Sequence, residues 1–190
     1  MRLHSRHIVL VGFTALALAG CKKQGVDVDH ASMQQVASAV GGAAPAFQPG
    51  RWESTMKMEK MDIPGMPPEA RAMMAKSPAM ARTISTCLTP ERAAKPGGDF
   101  FNQNNANCVY DHFSMGGGKL DATMTCNGKA GNGKTGKLTM TMNGTFSPDQ
   151  YEVHTSSQEQ MPGGQAMNVG MTVTSHRVGE CTGNETAIAR

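Results

Sequence analysis

The five cysteines carry the most reactive side chains in this sequence, and their positions point to two uses. Cys21 follows an apolar run and the small residues Ala19 and Gly20. A thiol in that position is suited to carrying a lipid through a thioether bond. The other four form an even set, which in an exported chain predicts two structural disulfides. They are Cys87, Cys108, Cys126 and Cys181.

The pairing of these four cysteines is left open by their spacing, because four cysteines allow three arrangements. The first choice joins Cys87 to Cys108 and Cys126 to Cys181. The alternative joins Cys108 to Cys126, since a hairpin turning on Gly117 would place those two residues opposite each other. No two cysteines stand in a C-x-x-C spacing, so neither a zinc site nor a redox dithiol is favoured.

Methionine suggests a second chemistry, because the chain has 16 of these residues. Met56, Met58 and Met61 form an M-x-M-x-x-M string, and Met140 and Met142 form an M-x-M pair. Thioethers are soft ligands that suit Cu(I). The same residues fall on the inward phase of alternating strands, where methionine fills gaps in a core. We therefore predict packing and no bound metal or cofactor, and the metal candidates to test are Met56, Met58, Met140 and Met142.

Gly128–Thr135 matches the phosphate-binding pattern G-x-x-x-x-G-K-T. That motif works only where a helix follows the loop, because the helix N-terminus supplies the amides and the dipole that hold phosphate. Here Lys137–Met142 alternates polar and apolar residues, which predicts a strand. We interpret the segment as a hairpin loop and expect no nucleotide partner.

No set of catalytic residues stands out. The sequence lacks a G-x-S-x-G nucleophile motif. A carboxylate pair of Asp111 with Asp121 is less favoured than two polar residues that flank a turn. The histidines have no metal-ligand spacing, and after the first twenty residues they are His30, His112, His154 and His176. We expect no catalytic residues and a protein that is not an enzyme.

The N-terminus has the layout of a bacterial lipoprotein signal peptide. Arg2 and Arg6 precede the apolar run Ile8–Ala19, which is too short to span a bilayer. The junction before Cys21 resembles the lipobox at which such precursors are cleaved. We predict cleavage there and attachment of fatty acyl groups, such as palmitate, to Cys21. Lipoproteins kept at the inner membrane usually carry Asp where Lys22 stands, so the resemblance implies the periplasmic side of the outer membrane.

Composition limits the partners. The chain has 190 residues, which fits one domain with a tail, and its formal net charge is +3. Without residues 1–20, which hold Arg2 and Arg6, 16 basic side chains stand against 15 acidic ones. This balance excludes a nucleic-acid binder that relies on a basic face. The single long apolar run excludes a polytopic membrane protein.

Four segments are predicted along the chain. They are a signal peptide (1–20), a flexible tether with a short helix over Asp29–Val40 (21–48), a disulfide-stapled β domain (49–182) and a disordered tail (183–190). Within the domain, period-two alternation predicts about seven strands, and two short helices begin at Pro68 and after Thr89. The predicted fold is mainly β, as an antiparallel curved sheet, barrel or sandwich.

Four short motifs resemble one known family. They are P-G-R-W-E from Pro49, C-L-T-P-E from Cys87, G-T-F-S-P-D-Q-Y from Gly144 and R-V-G-E-C from Arg177. In order and spacing they are similar to the proteobacterial "domain of unknown function 3617" family, whose members are exported and often lipoproteins. Arg51 departs from the pattern, since an apolar residue is more usual there. The resemblance implies an envelope β domain stapled by cysteines, and it carries over no catalytic residue.

Together these features lead us to expect a cell-envelope lipoprotein that faces the periplasm and acts as a non-enzymatic binding or interaction module. Its partners would be the membrane, through the lipid on Cys21, and an apolar ligand or an envelope protein. The alternative is a methionine-rich periplasmic protein that handles Cu(I).

Overall fold

The computed structural model describes residues 25–43, 47–75, 77, 80–94, 107–129, 135–160 and 165–185. These residues form eight strands and three helices. The strands are β1 (Gly25–Ser32), β2 (Gly50–Asp62), β3 (Ala81–Leu88), β4 (Cys108–Gly116), β5 (Lys119–Lys129), β6 (Thr135–Phe146), β7 (Gln150–Gln160) and β8 (Ala166–Gly179). The helices are α1 (Met33–Ala43), α2 (Pro68–Ala75) and α3 (Pro90–Ala93).

All eight strands belong to one antiparallel sheet with the order β1-β4-β5-β6-β7-β8-β2-β3. Strands β4 to β8 pair with their neighbours in sequence, and β2 then lies beside β8. Strands β1 and β3 are the two edges, so the sheet is open. The prediction of a mainly β, antiparallel fold is confirmed, and of the three architectures left open, barrel and sandwich are wrong.

The sheet has one apolar and one polar face because side chains alternate along each strand. Along β7, every second residue from Tyr151 to Glu159 is half-buried, and the residues between them are exposed. Directly paired residues on neighbouring strands lie on the same side of a sheet, so the register assigns each residue to a face. We name the side that carries Phe113, Met142 and Met58 the apolar face, and the opposite side the polar face.

Two bulges bring residues three positions apart onto the same face. At Asp111, β4 carries one residue more than β5, so Tyr110 and Phe113 both lie on the apolar face. At Glu59, β2 carries one residue more than β8, and Met58 and Met61 share that face for the same reason. Strict alternation would have placed each pair on opposite faces.

The best-buried core lies at the β1 end of the apolar face. Helix α1 packs there on β1 and β4. Its residues Val36 and Val40 are almost fully buried and join the cluster around Phe113. Because Val36 and Val40 are one helical turn apart, a single stripe of this short helix covers the sheet. Tyr110 meets Phe113 edge to face, with ring centroids 5.3 Å apart.

The expected tether over residues 21–48 is corrected by this arrangement. Residues 25–32 are strand β1, paired with β4 along its length, and the helix begins at Met33 rather than Asp29. A capping box sets that start. The Ser32 N–H donates to Gln35 Oε1 (2.8 Å), and the Gln35 N–H donates to Ser32 Oγ (3.2 Å). The S-x-x-Q spacing is a sequence signal for this helix start.

The starts of helices α2 and α3 lie closer to their predicted positions than the start of α1 does. Helix α2 begins at Pro68, and Thr89 accepts a hydrogen bond from the Arg92 N–H as the N-cap of α3. In the expected tail, Glu185 accepts a hydrogen bond from the N–H of Thr182, the last residue of the predicted domain, and this bond is the main cause that lowers the pKa of Glu185 to about 2. Residues 1–24, with Cys21, and 186–190 lie outside the described residues. No helix in the described part of the chain is long and apolar enough to cross a membrane.

The disulfides are Cys87–Cys181 and Cys108–Cys126. The first choice of pairing is therefore wrong, and the alternative is confirmed for Cys108 with Cys126. These two residues are opposite each other on β4 and β5, with Cα atoms 4.0 Å apart. The other bridge joins edge strand β3 to the segment after β8, with Cα atoms 5.5 Å apart. Since β2 lies between β3 and β8, this bridge links the ends of two strands that are not neighbours in the sheet.

His112 links β1 to the rest of the sheet on the polar face. Its Nδ1 lies 2.8 Å from Asp29 Oδ1 of β1, and its Nε2 lies 3.8 Å from Asp121 Oδ1 of β5. The hydrogen bond to Asp29 raises the pKa of His112 above its ordinary value. The negative charges of Asp29, Asp27 and Asp121 act in the same direction, while desolvation opposes them.

We expect the stability of the protein to depend on pH through His112. Because its pKa is raised on folding, the stabilisation is complete below the unfolded value of about 6.5 and is lost as the pH rises through the folded value. Urea unfolding between about pH 5 and pH 8 measures this loss. His112→Gln should remove that part of the pH dependence, and His176→Gln, on β8 and four strand positions from β4, should not. An unchanged profile in His112→Gln would contradict the assignment.

Candidate functional site

Besides Met167 at the start of β8, the apolar face carries nine Met and Val side chains on β6, β7, β8 and β2, and all nine are half-buried. We name them the apolar strip. They are Met56, Met58, Met61, Met140, Met142, Val153, Val169, Met171 and Val173.

The strip is continuous across four neighbouring strands. Met58 of β2 lies opposite Met171 of β8. Thr155 of β7 stands between Met171 and Met142 of β6. Because neighbouring strands are about 4.8 Å apart, the strip measures about 14 Å from β6 to β2.

The two halves of the apolar face are covered to different extents. Beneath α1, Phe113 and Ala122 are each 1% exposed, whereas no member of the strip falls in the buried class. Helix α1 has 11 residues and is about 16 Å long, while eight strands span about 34 Å. One helix of this length cannot cover both halves, and the described members of the strip stay partly exposed.

Strand β7 places polar groups in the middle of the strip. Thr155 stands between Met142 and Met171, and Ser157 follows two residues later on the same face. The Ser157 hydroxyl donates to the carbonyl of Val169 at 3.4 Å. A molecule lying across the strip would therefore meet two methionine-rich flanks and hydroxyl groups between them.

The methionine candidates for metal binding lie in two separate pairs. Met56 and Met58 are on β2, and Met140 and Met142 are on β6, with β7 and β8 between them. The pairs are about 14 Å apart, which is too far for one ion to bridge. Met140 and Met142 also pack against the buried core. Among the residues that the structure describes, no three or more His, Cys, Asp or Glu side chains form a group that could hold a metal ion.

An open cavity of about 340 Å³ lies at the turn between β6 and β7, apart from the strip. Ser147, one of its lining residues, donates its hydroxyl to Asp149 Oδ1 at 2.5 Å. Nearby, His154 engages Thr172 at 2.8 Å and Glu152 at 2.9 Å. In the described part of the chain, this serine is thus not paired with a histidine that would activate it. The lining residues are Thr145, Phe146, Ser147, Gln150, Tyr151, Glu152, Thr174, Ser175 and His176.

The two carboxylates flanking the β4–β5 hairpin have different partners. Asp111 accepts a hydrogen bond from the Thr125 hydroxyl at 2.7 Å. Asp121 lies opposite Ser114 and accepts a hydrogen bond from the side-chain amide of Asn143. The structure therefore does not bring Asp111 and Asp121 together as an acid–base pair.

The segment with the phosphate-binding pattern connects β5 to β6. Gly128 belongs to β5, Thr135 is the first residue of β6, and residues 130–134 lie outside the described part. The element that follows the loop is a strand, as the alternation predicts. A strand does not supply the helix N-terminus that this motif needs.

The four sequence motifs meet at one end of the sheet although they are far apart in the chain, and we name this region the motif end. Trp52 is 4% exposed. Its ring stacks on Tyr151, with centroids 6.1 Å apart, and meets Phe47 edge-on at 5.7 Å. Its Nε1 donates to the carbonyl of Gln48 at 3.0 Å. The indole is thus buried with its one donor satisfied.

Backbone contacts and a disulfide close the motif end. The Nε of Arg177 donates to the carbonyl of Pro49 at 2.6 Å. Gly50 has a φ of +138°, and a Cβ there would collide with the carbonyl of Gly179, so glycine is required. The C-L-T-P-E motif enters through the Cys87–Cys181 bridge. These contacts give the motifs a structural role.

This geometry defines an open antiparallel sheet that is cross-linked by two disulfides. Comparison with known families identifies the family to which the chain belongs. Residues 47–181 match the family described as "Protein of unknown function (DUF3617)". The chain belongs to this family, and the resemblance carried by the four motifs is confirmed. No curated protein and no solved structure matches the chain.

Four of the nine members of the strip were predicted as candidates from the sequence, and all four are methionines. No function was predicted for Val169, Met171 or Val173. Their alternation shows which face they share, and only the position of α1 shows that this part of the face is uncovered. Strict alternation would place Met58 and Met61 on opposite faces, and the bulge at Glu59 brings Met61 into the strip.

Ser54 and Ser175 form a buried hydroxyl pair at the motif end, with Oγ atoms 2.7 Å apart. We expect Ser175→Ala to lower the free energy of unfolding by about 1–3 kcal/mol, because it leaves the Ser54 hydroxyl buried without its partner. The double variant Ser54→Ala/Ser175→Ala should be less destabilised than the sum of the single variants. Urea unfolding measures all three values, and strictly additive effects would contradict the coupling. Thr141→Ala, at an exposed site on the polar face, is the control.

Proposed function

We propose that this protein is an exported, non-enzymatic binding module of the cell envelope, and that the apolar strip binds an apolar ligand. The observation that carries the proposal is the partial exposure of nine Met and Val side chains on one continuous face. Exposed apolar surfaces of this kind commonly serve as ligand or partner sites. Methionine suits such a surface because its flexible, polarizable side chain adapts to different shapes.

The cysteines support the envelope as the compartment. Two disulfides are typical of oxidising compartments, and Cys21 follows a lipobox-like junction. We propose that Cys21 is the lipid-bearing first residue of the mature chain, on the periplasmic side of the outer membrane. Only residues 22–24 would then separate the lipid from β1, a reach of about 14 Å. The sheet would lie close to the membrane surface, within reach of lipids and other apolar molecules.

Replacing Cys21 by Ser tests the anchor. We expect the wild type to fractionate with the outer membrane and Cys21→Ser to lose that association, because each buried acyl methylene contributes about 0.8 kcal/mol to membrane binding. Intact mass spectrometry of the wild type should find acyl groups on a chain that begins at Cys21. Recovery of the wild type from the cytosol with its first twenty residues attached would contradict the proposal.

Binding of the fluorescent apolar probe N-phenyl-1-naphthylamine tests the strip. We expect Met58→Gln/Met171→Gln, made in the full chain with Cys21→Ser and assayed without detergent, to weaken probe binding at least about tenfold. Each methionine would lose a large part of its burial energy, which is about 1.5–3 kcal/mol when complete.

The matched control is Thr141→Gln/Ser156→Gln in the same background. Thr141 and Ser156 are also directly opposite each other, on β6 and β7, but both are exposed on the polar face. The control should bind the probe like the parent protein. Equal loss of affinity in the two double variants would contradict a role for the strip.

Handling of Cu(I) is the second candidate function. The observation in its favour is that Met58 lies directly opposite Met171 on the accessible face, which places two thioethers side by side. The same variants distinguish Cu(I) binding from binding of an apolar ligand. A stoichiometric Cu(I) complex that is lost in Met58→Gln/Met171→Gln, without probe binding by the parent protein, would favour copper over an apolar ligand.

A further inference from the structure

Arg82 lies at the open end of the apolar strip. It is on edge strand β3, directly opposite Met56, so the register places both residues on the apolar face. Ile84 and Thr86 follow at the same phase and are half-buried and buried, respectively. Arg82 itself is exposed, and β3 has no strand on its other side. The strip therefore ends at a cation on the rim of the sheet.

Charged side chains are few on this face. Apart from Glu59 at the bulge of β2, the register of β2, β3, β6, β7 and β8 assigns three of them to it, namely Arg82, Glu159 and Arg177. Arg177 is already engaged with the carbonyl of Pro49 and with Glu180. Within the described part of the chain, Arg82 has no ion pair or side-chain hydrogen bond. Its charge is thus available to a ligand.

The other free charge stands at the far corner of the face. Glu159 of β7 lies between Leu138 and Met167, and three strand spacings, about 14 Å, separate β7 from β3. An anionic group would be attracted to Arg82 and repelled by Glu159. The face therefore has a direction, with a cation at the β3 rim and apolar side chains leading away from it.

We infer that the strip binds a long-chain carboxylate, with its headgroup at Arg82 and its hydrocarbon tail over Met56, Met58 and Met171. This inference rests on the proposed function and names the ligand class for the same site. A guanidinium group matches a carboxylate through two parallel N–H···O hydrogen bonds. An alcohol of equal length would keep the tail contacts and lose the charge-assisted contact at the headgroup.

Displacement of N-phenyl-1-naphthylamine by dodecanoate and by 1-dodecanol measures the two contributions separately. With the parent protein, dodecanoate should displace the probe at a roughly fivefold lower concentration than the alcohol, which is the scale of an exposed charge pair. Arg82→Gln should abolish this preference and leave displacement by dodecanol unchanged. Arg82→Lys should keep part of it. The matched control is Lys57→Gln, because Lys57 adjoins Met56 in sequence but lies on the polar face and carries the same charge.

The outcomes separate this inference from the function on which it rests. Two results would overturn the carboxylate assignment without contradicting the apolar site. One is equal displacement of the probe by dodecanoate and dodecanol, and the other is equal loss of the preference for dodecanoate in Arg82→Gln and Lys57→Gln. Short-chain phosphatidylglycerol could instead displace the probe at a lower concentration than dodecanoate, with this preference lost in Arg82→Gln. That result overturns the carboxylate assignment in favour of a phospholipid. Absence of probe binding by the parent protein overturns both.

Discussion

An eight-stranded open sheet has one apolar face to bury, and among the described elements the helix that packs on it is the short α1. Exposed apolar surface is unfavourable by about 25 cal/mol per Å². A barrel would hide this face by closing on itself, and a sandwich would cover it with a second sheet. Here α1 buries the face over β1 and β4, and the strip on β6, β7, β8 and β2 is left half-exposed. The candidate site follows from this unequal coverage.

The remaining stabilising contacts lie at the two ends of the strands and at the β1 edge. Cys108–Cys126 closes the open end of the β4–β5 hairpin, and Cys87–Cys181 ties β3 to the end of β8 across β2. Around the second bridge, Trp52 and Arg177 join segments that are far apart in sequence. The family motifs therefore mark the end of the sheet that the Cys87–Cys181 disulfide and these side-chain contacts hold together. The proposed ligand contacts lie on the strip, away from those motifs.

Periodicity in the sequence predicted the strands well because each one has a water-facing and a core-facing side. The same logic failed at Asp111 and Glu59, where an extra residue shifts the phase and brings residues three apart onto one face. It failed again at β1, whose polar residues suggested a tether. That strand is fixed by pairing with β4 and by the contact of Asp29 with His112, and both involve residues about eighty positions away.

Local structure can be predicted from the sequence alone: alternating strands, a helix capped at Thr89, the capping-box spacing at Ser32 and four cysteines suited to disulfides. These features depend on near neighbours in the chain and on the period of the side chains. Only the tertiary structure decided the cysteine pairing, the open sheet and the meeting of the four motifs, because each requires strand order and register. It also decided that Met58, Met171 and Arg82 share one accessible face, since accessibility depends on what the rest of the chain covers.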